Sequence, residues 1–128
     1  MNREISTDKA PPSFSNYAQA MEVPPGARCV HVSGQVGVTP DGRLPEASSE
    51  QHELAWQNIF AILESADMEK SDIVEVWAIV RDHGEVPVYR EIRDRMLEGH
   101  RCVSTMLVCS LASPDWKVEI AVRACKVD

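Results

Sequence analysis

Residues 29–38, CVHVSGQVGV, restrict the fold of this chain more than any other stretch. Valines at positions 30, 32, 36 and 38 alternate with small or polar residues. Alternation with a period of two is typical of a strand that has one face on a core and the other face outside it. The polar side holds His31, Ser33, Gln35 and Gly37. The sequence therefore predicts a sheet with two unlike faces.

Two helices and four further strands are predicted around this strand. One helix begins at Ser48, where Gln51 follows three residues later as in a capping box. The other lies within residues 82–100, with Pro87 near its start and Gly99 just after its end. The predicted strands are residues 14–23, 29–38, 72–81, 102–111 and 116–127. The order β-β-α-β-α-β-β predicts an α+β fold, a two-layer sandwich in which two helices cover one face of a mixed sheet.

The length fits one domain. A chain of 128 residues lies in the usual size range of a single domain. Residues 1–13 contain the breaker APP and are predicted to be a flexible N-terminal tail, which leaves residues 14–128 as the domain.

The sheet face away from the helices is predicted to be mixed in character. On the fourth strand, Val103, Leu107 and Leu111 are assigned to the helix side, so that the outer face holds Cys102, Ser104, Met106, Val108 and Ser110. On the last strand the outer face holds Lys117, Glu119, Ala121 and Arg123. Such a face is too apolar to be fully solvated and too polar to be a core. It favours a homo-oligomer interface that contains polar pockets.

Composition argues against several classes of function. The chain carries 13 basic and 20 acidic residues, a net charge of −7, and has no basic run, which disfavours nucleic-acid binding. No apolar segment is long enough to span a membrane, and the polar N-terminus has no signal-peptide core, so a cytoplasmic protein is expected.

The four cysteines form no C-x-x-C pair and are predicted to be free thiols buried in strands. With the histidines scattered as well, no metal site is predicted.

The chain resembles a known family in several segments. The run NYAQAMEVPPGARCVHVSGQVGVTPDGRL, the segment SDIVEVWAIVRD and the closing VEIAV together are similar to the Rid (reactive intermediate deaminase) or YjgF family. The similarity runs from Phe14 to Val127. It implies a chorismate-mutase-like subunit, assembled as a homotrimer with ligand clefts between subunits. It also implies hydrolysis of small imines or enamines to carbonyl compounds and ammonia, with no cofactor.

The resemblance also implies site residues. Tyr17 lines the cleft, Ser33 and Gly34 shape it, and Glu119 positions the attacking water. The family's substrate-clamping arginine is expected at the position of Ser104, with Thr105 beside it, and its second glutamate is replaced by Ala121. This departure indicates a divergent branch, because a serine hydroxyl cannot pair with a carboxylate as an arginine does.

Four basic residues are candidates to replace the missing arginine: Lys117, Arg123, Arg101 and Arg93. Lys117 is preferred because residues two apart on a strand share a face, which places it beside Glu119. Arg101 is expected on the opposite sheet face from Ser104.

Glu119 itself has two readings from sequence. It is either a solvated or salt-bridged surface carboxylate, or a cleft residue that handles water. Accordingly, the leading hypothesis is an imine or enamine hydrolase. The alternatives are a metabolite-binding or regulatory trimer without turnover and, more remotely, a ribonuclease.

Overall fold

A computed structural model describes all 128 residues and contains six strands and two α-helices. The strands are β1 (Arg3–Ile5), β2 (Ala20–Glu22), β3 (Arg28–Val36), β4 (Ile73–Val80), β5 (Val103–Val108) and β6 (Val118–Lys126). The helices are α1 (Ser48–Ser65) and α2 (Glu85–Met96), and a 3₁₀ turn spans Lys70–Asp72. No helix of the chain is both long and apolar enough to span a membrane.

The main sheet has four strands in the order β3-β6-β4-β5. The pair β4–β5 is parallel, with α2 as its crossover, and the other pairs are antiparallel. Both helices pack on one face, where they bury Trp56, Ile59, Leu63, Tyr89 and Ile92 against Val76, Ala78, Val80, Val118 and Ile120. The predicted α+β two-layer sandwich with a mixed sheet is therefore confirmed.

The N-terminal segment differs from its prediction. Residues 3–5 form β1, which pairs antiparallel with β2 as a separate two-stranded ribbon. Residues 1–13 are therefore not simply a tail, and the predicted first strand is three residues long and lies outside the main sheet. The Arg3–Glu22 ion pair and the bond from Asn2 to the carbonyl of Cys125 hold the ribbon. A three-residue strand is too short to produce a detectable alternation.

Helix α1 begins without the predicted capping box. Its N-cap is Ala47, which provides no side-chain cap. Ser48 instead donates to Glu85 at the start of α2, and the buried Gln51 donates to the carbonyl of Pro45 and accepts from the backbone N–H of Lys117. Tertiary partners therefore replace the local cap.

The two faces of β5 are reversed relative to the prediction. Ser104 lies opposite the core residue Val76, and Met106 and Val108 likewise pack towards the helices. Thr105 and Leu107 lie on the other side and are exposed. Apolar residues occur at both parities of this strand, so alternation alone could not distinguish its faces.

A β-bulge in β3 also changes which side chains share a face. Val32 lies opposite Val122, but Gln35 rather than Gly34 lies opposite Ile120. The extra residue reverses the alternation after Gly34, so that Val36 lies opposite Glu119 on the face away from the helices. We call the face away from the helices the open face.

The prediction of four free thiols is wrong for two cysteines. Cys29 on β3 and Cys125 on β6 are directly opposite in register, with Cα atoms 4.2 Å apart, and form a disulfide. Cys102 is free and buried, and Cys109 is free and exposed. Strand pairing across 96 residues brings the two sulfurs together, which cysteine spacing does not reveal.

Candidate functional site

Glu119 lies on the open face of the sheet, near the start of the last strand, β6. Its strand neighbours in register are Val36 on β3 and Ile79 on β4. Its side chain lies over the bulge of β3, so close to Gly34 that a Cβ atom added there would be 2.8 Å from the Glu119 Cδ. Only glycine therefore leaves room for this carboxylate. Ser33, the other residue of the bulge, is exposed beside it.

The Glu119 carboxylate is half-buried and has no partner within the chain. The two predicted basic neighbours point elsewhere. Lys117 donates from Nζ to the carbonyl of Glu46, 2.8 Å away, and the nearest polar contact of Arg123 is the sulfur of Cys29, at 3.8 Å. The structure therefore gives no support to a salt-bridged surface glutamate.

Exposed apolar side chains surround Glu119 on the open face. Trp77 is 44% exposed and Leu107 is 45% exposed. Ile79 and Ala121 lie between them and Glu119. A partly exposed carboxylate bordered by a large apolar surface is typical of a site that a second subunit or a ligand covers.

Tyr17 lies far from Glu119 within one chain. The loop that carries it docks at the start of β5, where the N–H of Ala18 donates to the carbonyl of Cys102. Leu107 lies on β5, five residues after Cys102. It is in register with Ile79 on β4, which is in register with Glu119 on β6, so that Leu107 and Glu119 are two strands apart. From strand geometry the separation is about 19 Å. A single chain therefore does not bring these two predicted residues together.

The remaining predicted binding residues divide between the two faces. Thr105 is exposed on the open face, opposite Trp77. Ser104 lies on the helix side near Tyr89; burial raises the pKa of that phenol, and the Ser104 hydroxyl is among the neighbours that lower it. The structure thus brings Ser33, Gly34 and Glu119 together, places Thr105 on the same face, and puts Ser104 and Lys117 elsewhere.

The arginines proposed as substitutes have specific partners. Arg93 on α2 is buried and donates to the hydroxyl of Ser15, 2.7 Å away. Arg101 has its side chain directed away from the core, and it contacts Glu4, Asn16 and the carbonyl of Tyr17. Because Ser104 is directed inward, Arg101 is on the outer side of the sheet. Arg101 and Ser104 lie on opposite faces of the sheet, as predicted, but each lies on the face that was predicted for the other.

A buried polar cluster lies between the helices. His52 on α1 is fully buried, with Nε2 2.9 Å from the Glu85 carboxylate on α2. Burial lowers the pKa of His52, and Glu85 opposes this effect. The cluster is on the helix side of the sheet, so it ties the two helices together rather than adding to the Glu119 site. No group of three or more metal-ligating side chains occurs in the chain.

Sequence comparison relates the chain to known proteins. The family model described as Endoribonuclease L-PSP matches residues 7–126. A RutC family protein of Aquifex aeolicus is 40% identical over 81 residues, which span 62% of each chain and so less than two thirds of that relative. A 2-iminobutanoate/2-iminopropanoate deaminase of Mus musculus is 31% identical over 101 residues, which cover 77% of this chain and 73% of that protein.

Structural comparison finds the same fold over nearly the whole chain. The Rid family protein YyfB of Yersinia pestis superposes with a TM-score of 0.84 at 24% identity, covering 98% of both chains. Escherichia coli TdcF, solved with bound serine, superposes with a TM-score of 0.73 at 25% identity, covering 97% of this chain and 98% of that one. The first of these likenesses shows the fold alone.

Proposed function

Because the chain belongs to the Endoribonuclease L-PSP family, whose members include the Rid or YjgF proteins, we propose that it hydrolyses a small imine or enamine in clefts between subunits. The observation that carries this proposal is the Glu119 carboxylate, which is half-buried, unpaired and held over Gly34 on the open face. A carboxylate that no protein group neutralises is free to bind and polarise a water.

Two relatives support a small-molecule substrate. The mouse relative is by name a deaminase of 2-iminobutanoate and 2-iminopropanoate, and the E. coli TdcF structure contains serine. Both names describe small metabolites. We therefore infer a small imine, or the enamine that is its tautomer, as the ligand class of this chain.

The chemistry requires one water and one proton carrier. Water adds to the imine carbon, forming a C–O bond while the C=N π pair moves to nitrogen. Glu119 accepts the proton that water loses and returns it to the nitrogen, which gives a carbinolamine with an OH and an NH2 group on one carbon. Glu119 then takes the hydroxyl proton and passes it to the NH2 group while the C–N bond breaks and the C=O bond forms, so that an imine and water give a carbonyl compound and ammonia. General acid–base catalysis of this kind contributes roughly 10²–10⁴-fold.

The proposed cleft needs a second copy of the chain. Tyr17 and Glu119 are about 19 Å apart in one subunit by strand geometry, and the apolar open face around Trp77 and Leu107 is uncovered. We infer a homotrimer in which Tyr17 of one subunit approaches Ser33, Gly34 and Glu119 of the next. Thr105 adds a hydroxyl on the open face, whereas Ser104 and Lys117 are left out of the cleft because their contacts lie elsewhere.

Metabolite binding without turnover is the second candidate. It is favoured by β5, whose open-face residues Val103, Thr105 and Leu107 include no arginine to hold a substrate carboxylate. The endoribonuclease of the family description is not proposed, because the chain has a net charge of −7 and no run of basic residues that would favour binding of a phosphate backbone.

Ammonia release distinguishes the first two candidates. Imines with and without a carboxylate are generated in the assay by amine-oxidising or pyridoxal-phosphate enzymes, and ammonia is followed with and without the protein. The proposal predicts faster release for at least one imine. No acceleration for any of them, combined with calorimetric binding of the corresponding carbonyl compounds, would establish binding without turnover.

Substitution Gly34→Ala is expected to lower kcat/KM by about 10²-fold, because the new Cβ forces the Glu119 carboxylate off its position and small misplacements of catalytic groups have effects of this size. The control is Gly84→Ala, at a position with φ −65° near the start of α2, where alanine fits the backbone conformation. Wild-type kinetics in Gly34→Ala would show that the position of Glu119 does not matter for turnover.

A further inference from the structure

Arg101 stands where a ligand carboxylate could be bound. It immediately precedes β5, and its neighbour Cys102 is buried, whereas the Arg101 side chain is 40% exposed. Its Nη2 donates to the carbonyl of Tyr17, 2.7 Å away, and its Nη1 donates to the side-chain oxygen of Asn16, 3.0 Å away. These two bonds hold the guanidinium fork beside the residue that the cleft proposal assigns to substrate.

The free edge of that fork is already filled by a carboxylate of the same chain. Glu4 Oε1 accepts from Nη2 at 2.8 Å and from Nε at 3.2 Å, and Oε2 lies 3.3 Å from Nε. An arginine binds a substrate carboxylate through the same forked contacts. Glu4 therefore occupies the place that a ligand carboxylate would take.

The pairing of β1 with β2 positions Glu4 beside the Arg101 guanidinium. Glu4 lies opposite Met21 in the β1–β2 ribbon, and the adjacent Arg3–Glu22 ion pair joins the same two strands. The hydrogen bond from Arg101 lowers the pKa of Glu4. The carboxylate therefore stays ionised at neutral pH, so protonation does not release Arg101 from it.

A polar cavity adjoins the pair. It has a volume of about 320 Å³, and apart from Pro12 its lining residues are all polar or charged: Glu4, Ser6, Thr7, Ser13, Ser15, Gln19 and Arg101. This volume is at the small end of the range for ligand sites. Hydroxyl and amide groups around one cation suit a small, polar, anionic ligand.

We propose that Glu4 is a specificity-determining residue, which fills the carboxylate site of Arg101 and so makes the wild-type chain discriminate against small carboxylate ligands. The inference rests on the proposed function for placing Tyr17 and Arg101 at a ligand cleft. The ligand class that this cleft would reject is small carboxylates, and the group that would reject them is the Glu4 carboxylate.

Calorimetric titration with pyruvate and with its uncharged methyl ester tests this proposal. Glu4→Gln is expected to bind pyruvate about tenfold more tightly than wild type, because a charge-assisted bond to Arg101 becomes available. The methyl ester should bind both proteins equally. In Glu4→Gln combined with Arg101→Gln, the gain for pyruvate should disappear.

The matched control is Glu22→Gln, which removes another glutamate of the same ribbon, together with its exposed ion pair to Arg3, without touching Arg101. It therefore also shows whether loosening the ribbon alone changes pyruvate affinity. If Glu4→Gln folds poorly, the titration is repeated with Glu4→Thr, because threonine is a residue that favours strands. Equal pyruvate affinity in wild type and both Glu4 variants, or a gain that survives loss of Arg101, would overturn the proposal. Because binding is measured without turnover, the outcome is independent of whether ammonia release is observed.

Discussion

Glu119→Gln is expected to reduce kcat for ammonia release by about 10²–10⁴-fold, the usual contribution of a positioned general acid–base. The amide keeps the size and the hydrogen-bonding reach of the side chain but cannot accept a proton from water. Since the carboxylate makes no hydrogen bond or ion pair within the chain, its replacement should leave the thermal unfolding midpoint nearly unchanged. Steady-state kinetics on the best imine, together with calorimetric melting, measure both effects.

Glu75→Gln is the matched control for this experiment. Glu75 is the other glutamate on the open face, half-buried like Glu119, and lies opposite Arg123 and Val103. It is remote from the bulge of β3, so its loss should leave kcat at the wild-type value. A Glu119→Gln variant as fast as wild type would exclude Glu119 as the catalytic group. An equal loss in both variants would point to a general effect of charge on this face.

The layers of the fold could be predicted because their signals are long. On α1, Ala55, Ile59 and Leu63 recur at helical spacing and are fully buried, although Ile62 on the same helix is 38% exposed. On β4, Val76, Ala78 and Val80 alternate with exposed or half-buried residues and are buried in the core. The parity of β5 could not be predicted, because Val103 and Leu107 offer as good an apolar stripe as Met106 and Val108. Only the parallel pairing with β4 decides between them.

For the candidate site, alternation predicted only the strand face of Glu119. Its proximity to Gly34 was implied by the resemblance to the Rid family and not by any pattern in the residues. Lys117 follows the same alternation but lies one residue before β6, and there it turns to the carbonyl of Glu46. The pairing of Arg101 with Glu4 joins residues 97 positions apart through a strand of three residues, and no local pattern indicates such a contact.

The open face should determine assembly. Burying the exposed part of the Trp77 indole contributes on the order of 2–3 kcal/mol per subunit, whereas burying an aspartate there without a partner is costly. Trp77→Asp is therefore expected to separate the subunits. In size-exclusion chromatography with light scattering, the mass should fall from three times the 14.2 kDa of the chain to that of one chain.

Activity should be lost together with assembly, because Tyr17 and Glu119 lie far apart within one chain and, in the proposed cleft, meet only between copies. Ammonia release by Trp77→Asp is thus expected to approach the uncatalysed rate. Ile62→Asp serves as the control, since Ile62 on α1 is 38% exposed, close to the 44% of Trp77, but lies in the helix layer. A Trp77→Asp protein that is monomeric and fully active would place a complete site within one subunit. One that keeps the wild-type mass would show that the open face is not the interface.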